Sequence, residues 1–121
     1  MEPNASVESI LTSIKKLLGI TEECSDFDSD IIIHINSVFA ALPQICPLCP
    51  KNFMIGDSTA TWSDYLGDED WIGFIRTYVY LKVRLLFDPP TGAVLEAVKQ
   101  LIAEFEWRLS IANNTEDEGQ P

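Results

Sequence analysis

The chain predicts an all-α fold, with four helices arranged around one central apolar helix. Three observations carry that expectation. Residues 71–87 are apolar on almost every side, residues 93–109 carry one apolar and one charged face, and Gly19, Pro43 and the Pro89-Pro90 pair stand where helical patterns stop. A helix that is greasy all round has to be covered by other elements, whereas a one-sided helix does the covering. The rest of the chain is therefore expected to pack around 71–87.

That central run also has a strand reading. Thr77, Val79, Leu81, Val83, Leu85 and Phe87 alternate with Tyr78, Tyr80, Lys82 and Arg84, which suits a half-buried strand. The helical template Trp71, Ile72, Ile75, Tyr78, Val79, Lys82, Leu85, Leu86 is broken only by Lys82. Extent favours the helix: no turn signal interrupts the run, and Asp68, Glu69 and Asp70 stand before it, where the positive end of a helix dipole favours acids.

In chain order, Ser6 is expected to cap a first helix whose stripe is Val7, Ile10, Leu11, Ile14, Leu17 and Leu18. Lys15 and Lys16 fall in its last turn and Gly19 is a left-handed stop. An acidic linker follows, in which Asp26 or Asp28 can cap a second helix and Phe27 can pack back on its next turn. Ile31, Ile35, Val38, Phe39 and Leu42 fill one face of that helix, which is expected to end before Pro43. Four isoleucines in five positions speak for a strand instead.

Periodicity disappears over 43–67, where a long irregular loop can carry a small β-hairpin, Phe53-Met54-Ile55 pairing with 59–62, before a single helical turn that ends at Gly67. Asp88-Pro89-Pro90 closes the central helix. Thr91 can cap the last, whose apolar stripe is Val94, Leu95, Val98, Leu101, Ile102, Phe105 and Leu109. Residues 1–112 thus read as one helical domain and 113–121 as an irregular acidic tail.

Composition narrows the function. Hydrophobic content of 46% is enough for a real core in 121 residues, but 19 acids against 8 bases leave a net charge of −11. Such a surface repels phosphate, which argues against a conventional nucleic-acid binder. It suits a solvated exterior, a basic protein partner, or a wall that DNA passes without sticking. The start of the chain shows no secretory pattern and no span is long and apolar enough for a membrane, so a soluble, intracellular protein is expected.

No constellation for catalysis is visible. His34 is the single histidine, set on an apolar stretch without a nearby nucleophile, which reads as a core or interface residue. Cys46-Pro47-Leu48-Cys49 is a CxxC with prolines inside it and directly after it. A thioredoxin-type redox motif wants its first cysteine at a helix N-terminus beyond a strand, a setting the prolines blur, so a proline-rich loop that carries two thiols is favoured over a redox pair. For a zinc set only Cys24 and His34 are available to complete it. Their spacing matches no standard finger, so Cys24, His34, Cys46 and Cys49 are weak metal candidates and no cofactor is expected. Asp64, Asp68, Glu69 and Asp70 lack the ligand spacing of a calcium loop. Glu104 and Glu106 point from two helix faces and do not form a hydrolytic pair. Arg76, Lys82 and Arg84 are scarce cations, with pairing expected across subunits or to Glu96 or Glu104. Trp107 falls off its helix's apolar stripe by about half a turn, leaving two readings: an interface residue, or one covered by the loop at 53–65.

The assembled pattern resembles the head–tail connector, or adaptor, proteins of tailed bacteriophages. The resemblance rests on the helix at 10–19, on Asp26-Phe27-Asp28 leading into Asp30-Ile31-Ile32-Ile33-His34-Ile35-Asn36, on Ala60-Thr61-Trp62-Ser63-Asp64-Tyr65-Leu66-Gly67, on 78–90, and on Glu104-Phe105-Glu106-Trp107-Arg108. It spans about residues 6–110. The resemblance implies a mainly helical, non-enzymatic subunit of a ring, commonly dodecameric, beneath the portal protein at the virion's head–tail interface. Such a ring is assembled in the host cytoplasm, extends the DNA channel without binding DNA specifically, and docks a stopper or tail-completion protein. On that reading the contact candidates are Trp62, Asp64, Tyr65, Arg76, Arg84 and Trp107. From another class, the charge alone allows an acidic DNA mimic that inhibits a basic nucleic-acid-binding protein.

Overall fold

The computed structural model describes residues 8–67 and 70–118, with side chains described as far as residue 111. The described residues form five helices and no strand: α1 (Ile10–Leu17), α2 (Asp28–Ile45), α3 (Trp62–Leu66), α4 (Ile72–Phe87) and α5 (Gly92–Glu118). The predicted all-α class is what the chain adopts, with α3 as the single turn expected before Gly67. α4 is the central helix and packs against each of the other four. Ile75, Val79 and Val83, spaced by four, are fully covered, and Leu81 on nearly the opposite side of the helix is buried too. The period of 3.6 therefore prevails over the strand-like alternation, because α4 has neighbours on several sides.

α1 begins later than expected. Ser9 is its cap, its hydroxyl accepting the Thr12 amide at 3.1 Å, while Ser6 and Val7 lie outside the described residues. What holds the start in place is long-range: Ile10 N–H donates to the Ala60 carbonyl and Trp62 N–H to that of Glu8, a one-bridge pairing of Ser9 with Thr61. The Gly19 stop is as read. Gly19 has φ +84°, its amide bonds to the Lys16 carbonyl, and Ile20 bonds to that of Lys15, which closes the two orphan carbonyls of a Schellman end. Ile10, Leu11 and Ile14 are buried, whereas Leu17, placed on the same stripe by spacing, is exposed.

Lys15 is almost wholly buried. It reaches back to the carbonyl of Glu22 and forms an ion pair with Asp28 at 2.9 Å, stapling α1 to the start of α2. Asp28 is thus the first residue of α2 rather than its cap. The cap position is Phe27, which makes no side-chain capping bond. The Phe27 ring meets Phe87 at the end of α4 edge-on, at 5.5 Å, rather than the next turn of its own helix.

Ile31, Ile35, Val38, Phe39 and Leu42 form the buried face of α2, as the helical template requires. The helix does not end before Pro43 but carries it and continues to Ile45. A proline removes one amide and crowds the preceding turn. Here the fully buried Leu42 anchors that turn, and its carbonyl receives the Cys46 amide at 2.8 Å.

The hairpin expected within 43–67 is absent from the described residues. Ile55 pairs instead with a side chain: Asn36 Nδ2 donates to the Ile55 carbonyl at 2.9 Å, and the Ile55 amide donates to Asn36 Oδ1 at 2.8 Å. One carboxamide thus satisfies both polar groups of that peptide, as a neighbouring strand would. The loop's aromatic residues turn inward, so that Phe53, Trp62 and Tyr65 surround Phe39 with ring centroids 4.4–6.2 Å from it. Thr61 and Asp64 close α3 with a reciprocal capping box.

Past Asp88-Pro89-Pro90, α5 continues to Glu118, beyond the boundary at residue 112 that the sequence suggested. No glycine or proline stands in its way before Gly119. Residues 119–121 lie outside the described residues.

Two substitutions test these clasps in urea denaturation. Asn36→Ala leaves the Ile55 amide and carbonyl without partners and is expected to cost roughly 2–3 kcal/mol, whereas the exposed Ser37→Ala stays within about 0.5 kcal/mol of the parent. Asp28→Ala strands the Lys15 ammonium and is expected to cost roughly 2 kcal/mol, less than a fully enclosed pair because Asp28 keeps partial contact with water.

Candidate functional site

The surface most available to a partner is the outer side of α5. The inner side is fixed by Val98, Ile102 and Leu109, buried at 3/4/7 spacing, and by Phe105, which stacks on Phe74 of α4 with centroids 4.3 Å apart and planes 8° from parallel. Glu106 holds the rotation of the helix: its Oε2 accepts the Tyr78 hydroxyl at 2.8 Å and lies 3.7 Å from Lys82 Nζ. Burial and then the Glu106 carboxylate push the Tyr78 hydroxyl above the usual tyrosine range, so it stays a donor.

With the inner side fixed, Trp107 is directed outward, roughly 160° around the helix from the buried stripe at 100° per residue. Its indole is 61% exposed. The loop at 53–65 does not cover it, because Phe53 and Tyr65 are committed to Phe39. One turn before it, Ala103 and Glu104 are also exposed, and Glu104 is held by Arg108 at 2.7 Å. Along the flank of the same helix, Val94 and Leu101 are exposed seven residues apart. The result is an exposed aromatic side chain on a helix whose other side is anchored. That arrangement suits docking, since an interface aromatic contributes most when little entropy is lost on fixing it.

The remaining contact candidates are used within the chain. Trp62 has no exposed surface, its Nε1 donating to Ser13 Oγ at 2.9 Å, and Tyr65 is 3% exposed. Neither ring is available to a neighbour. Asp64 is exposed but engaged in the capping box. Arg76 pairs with Glu8 and Arg84 donates to the Tyr80 hydroxyl at 3.0 Å. The cations of α4 are thus met by Glu8, Glu106 and Tyr80, not by Glu96 or Glu104.

The weak metal candidates do not converge. Cys24 lies half-buried in the linker before α2, and His34 lies against the Phe87 ring at 6.5 Å. Cys46 and Cys49 do meet, with Cys49 Sγ donating to Cys46 Sγ at 2.7 Å. Among the described residues no cluster of three or more His, Cys, Asp or Glu is placed to hold a metal ion. Asp68 and Glu69 lie outside those residues. Sequence reasoning missed the close Cys46–Cys49 approach, although the proline after Cys46 is a turn signal, and it missed the exposed apolar residues Ile33 and Met54. Among the described residues no helix is long and apolar enough to cross a membrane.

Residues 10–116 match the sequence model of a family described as phage connector protein. No curated protein and no solved structure matches the chain.

Proposed function

The chain belongs to the phage connector protein family, a structural family of the virion associated with portal and tail proteins, and from that premise we propose that it is a subunit of the ring between head and tail. In this reading copies of the chain assemble beneath the portal protein, commonly as a dodecamer, extend the DNA channel, and offer a platform to a stopper or tail-completion protein. Assembly takes place in the host cytoplasm. The five helices, α1 to α5, form one connector domain.

The observation that carries the reading is the match over residues 10–116, which covers α1 to α4 and all but the last two residues of α5. The structure supports it in two ways. Trp107 is exposed on a helix whose other side is locked, as a residue awaiting a neighbour would be. The net charge of −11 lets DNA pass without adhering, because like charge at close range repels the phosphate backbone. The acidic-mimic alternative draws only on the same charge, and no further observation favours it.

Trp107→Glu is the variant that tests this. Its side chain makes no core contact, so the variant is expected to unfold within about 0.5 kcal/mol of the parent. Light scattering coupled to size exclusion, with portal-containing particles added, is expected to show the parent joining the particles and the variant joining at least about tenfold less, the equivalent of 1.4 kcal/mol at the contact. Particles that retain their genome and gain tails normally without the chain would refute the assignment.

A further inference from the structure

The connector reading makes no use of the thiol pair at the end of α2. Cys46 is the C-cap of that helix, and Cys49 N–H donates to the Cys46 carbonyl at 2.9 Å. That i to i+3 bond closes a β-turn over Cys46-Pro47-Leu48-Cys49, with Pro47 at the position where its fixed φ favours a turn. Such a turn brings its end Cα atoms within about 7 Å, inside the span that a disulfide needs. The two sulfurs are already 2.7 Å apart, with well under about 1 Å left to close to bonding distance. Pro47 and Leu48 are exposed on the outer side of the turn, and both sulfurs are turned inward.

A second observation marks the same place. The Tyr65 hydroxyl is buried with no hydrogen-bond partner, and it lies beside Cys49, which together with burial pushes its proton affinity upward. A buried hydroxyl without a partner costs stability, and here it stands beside the sulfur that keeps its proton, since its bond to Cys46 and then burial push the Cys49 thiol up. The thiol proton of Cys49, directed at Cys46, draws the Cys46 pKa down and favours its thiolate.

We propose that Cys46 and Cys49 are a reversible thiol–disulfide site, open when the chain is made and closed by a peroxide-class oxidant once the particle leaves a reducing compartment. The timing rests on the connector reading; the chemistry does not. The Cys46 thiolate attacks one oxygen of hydrogen peroxide, the O–O bond breaks, and after proton transfer one water leaves and Cys46 carries a sulfenic acid. The Cys49 sulfur then attacks the Cys46 sulfur, and the hydroxyl departs with the Cys49 proton as a second water. Two thiols give up two electrons and two protons, and one peroxide becomes two waters. The product staples the end of α2 to the loop whose aromatic residues pack on Phe39. A reducing cytosol keeps such pairs open and an external medium does not.

The test uses the purified full chain, reduced and then titrated with hydrogen peroxide, unfolded in alkylating reagent and weighed. The expected result is a loss of two hydrogen masses, Cys24 as the remaining alkylatable cysteine of the three, and full recovery with dithiothreitol. Oxidation is expected to raise the melting temperature of the parent and of Cys24→Ser, and to leave that of Cys46→Ser unmoved. The proposal fails if all three thiols stay alkylatable at a dose that fully oxidises free glutathione. It also fails if the chain forms linked dimers or irreversible sulfinic acid instead. In released particles the pair is expected to be closed, and an open pair there overturns the timing. Because the purified-chain assay involves no particle, failure of the connector assignment and failure of the thiol chemistry are read separately.

Discussion

Covering α4 is the constraint on which the rest of the structure depends. Its residues are apolar around most of the circumference, and neither α1, α2 nor α5 alone can shield more than one side. Burying a large aliphatic side chain contributes about 1.5–3 kcal/mol, and Ile72, Ile75, Val79, Leu81 and Val83 are all buried only when every neighbour is in place. The topology follows from this requirement. α1 and α2 approach from one part of the chain and α5 returns from the other, while α3 and the loop before it fill the space that remains. Fold and cooperativity thus have a common origin, since removing any one neighbour exposes part of the same helix.

A core assembled this way still has to satisfy the polar groups it takes from water. The long loop between α2 and α3 is the hard case, because an unpaired peptide in the interior costs more than a made hydrogen bond contributes. Asn36 answers for Ile55, Ser13 answers for the Trp62 indole, and the backbone of Glu8 and Ala60 closes the join between α1 and α3. Each of these joins segments far apart in sequence, so each also fixes the loop in place. An ordered loop of this length therefore does not need a partner to hold it, and Trp62 and Tyr65 are held as core residues.

The division between what was legible in the sequence and what was not follows the range of the interactions. The 3/4 stripe of α2, the central role of α4, the left-handed stop at Gly19 and the turn ending at Gly67 are local, and composition with spacing was enough to place them. In α5 the same spacing placed Val98, Ile102 and Leu109 inward correctly but also Val94 and Leu101, which are exposed because no neighbouring element reaches that flank. The cap at Ser9, the Lys15–Asp28 staple and the Asn36 clasp depend on contacts across the fold, which spacing does not report. Pro43 shows the same limit from the other side: its local preference is to end a helix, yet burial of Leu42 keeps the chain helical for another turn. Phe53-Met54-Ile55 looked like a strand because its residue types suit one, but a strand needs a partner and a side-chain amide supplied the pairing. At the candidate surface, the outward position of Trp107 could be read from its register. The burial of Trp62 and Tyr65 could not, because it depends on which aromatic residues meet around Phe39.

That contrast separates the two roles of the large aromatics. Trp62 contributes its full surface to the fold, so a partner could reach it only by opening the core. Trp107 is largely exposed, yet its place on the outer side of α5 is fixed by Phe105 stacked on Phe74 and by Glu106 bonded to Tyr78. The two neighbours of Trp107 in sequence to its N-terminal side are thus the residues that anchor the helix, and the indole is presented outward without being used. The ring proposed above asks for this arrangement, because adhesion built from core residues would trade stability alone against adhesion in company. The strong net acidity works to the same end. In the proposed ring, charge repulsion between copies discourages indiscriminate association and leaves contact to places where an apolar group such as this one finds a fitted neighbour.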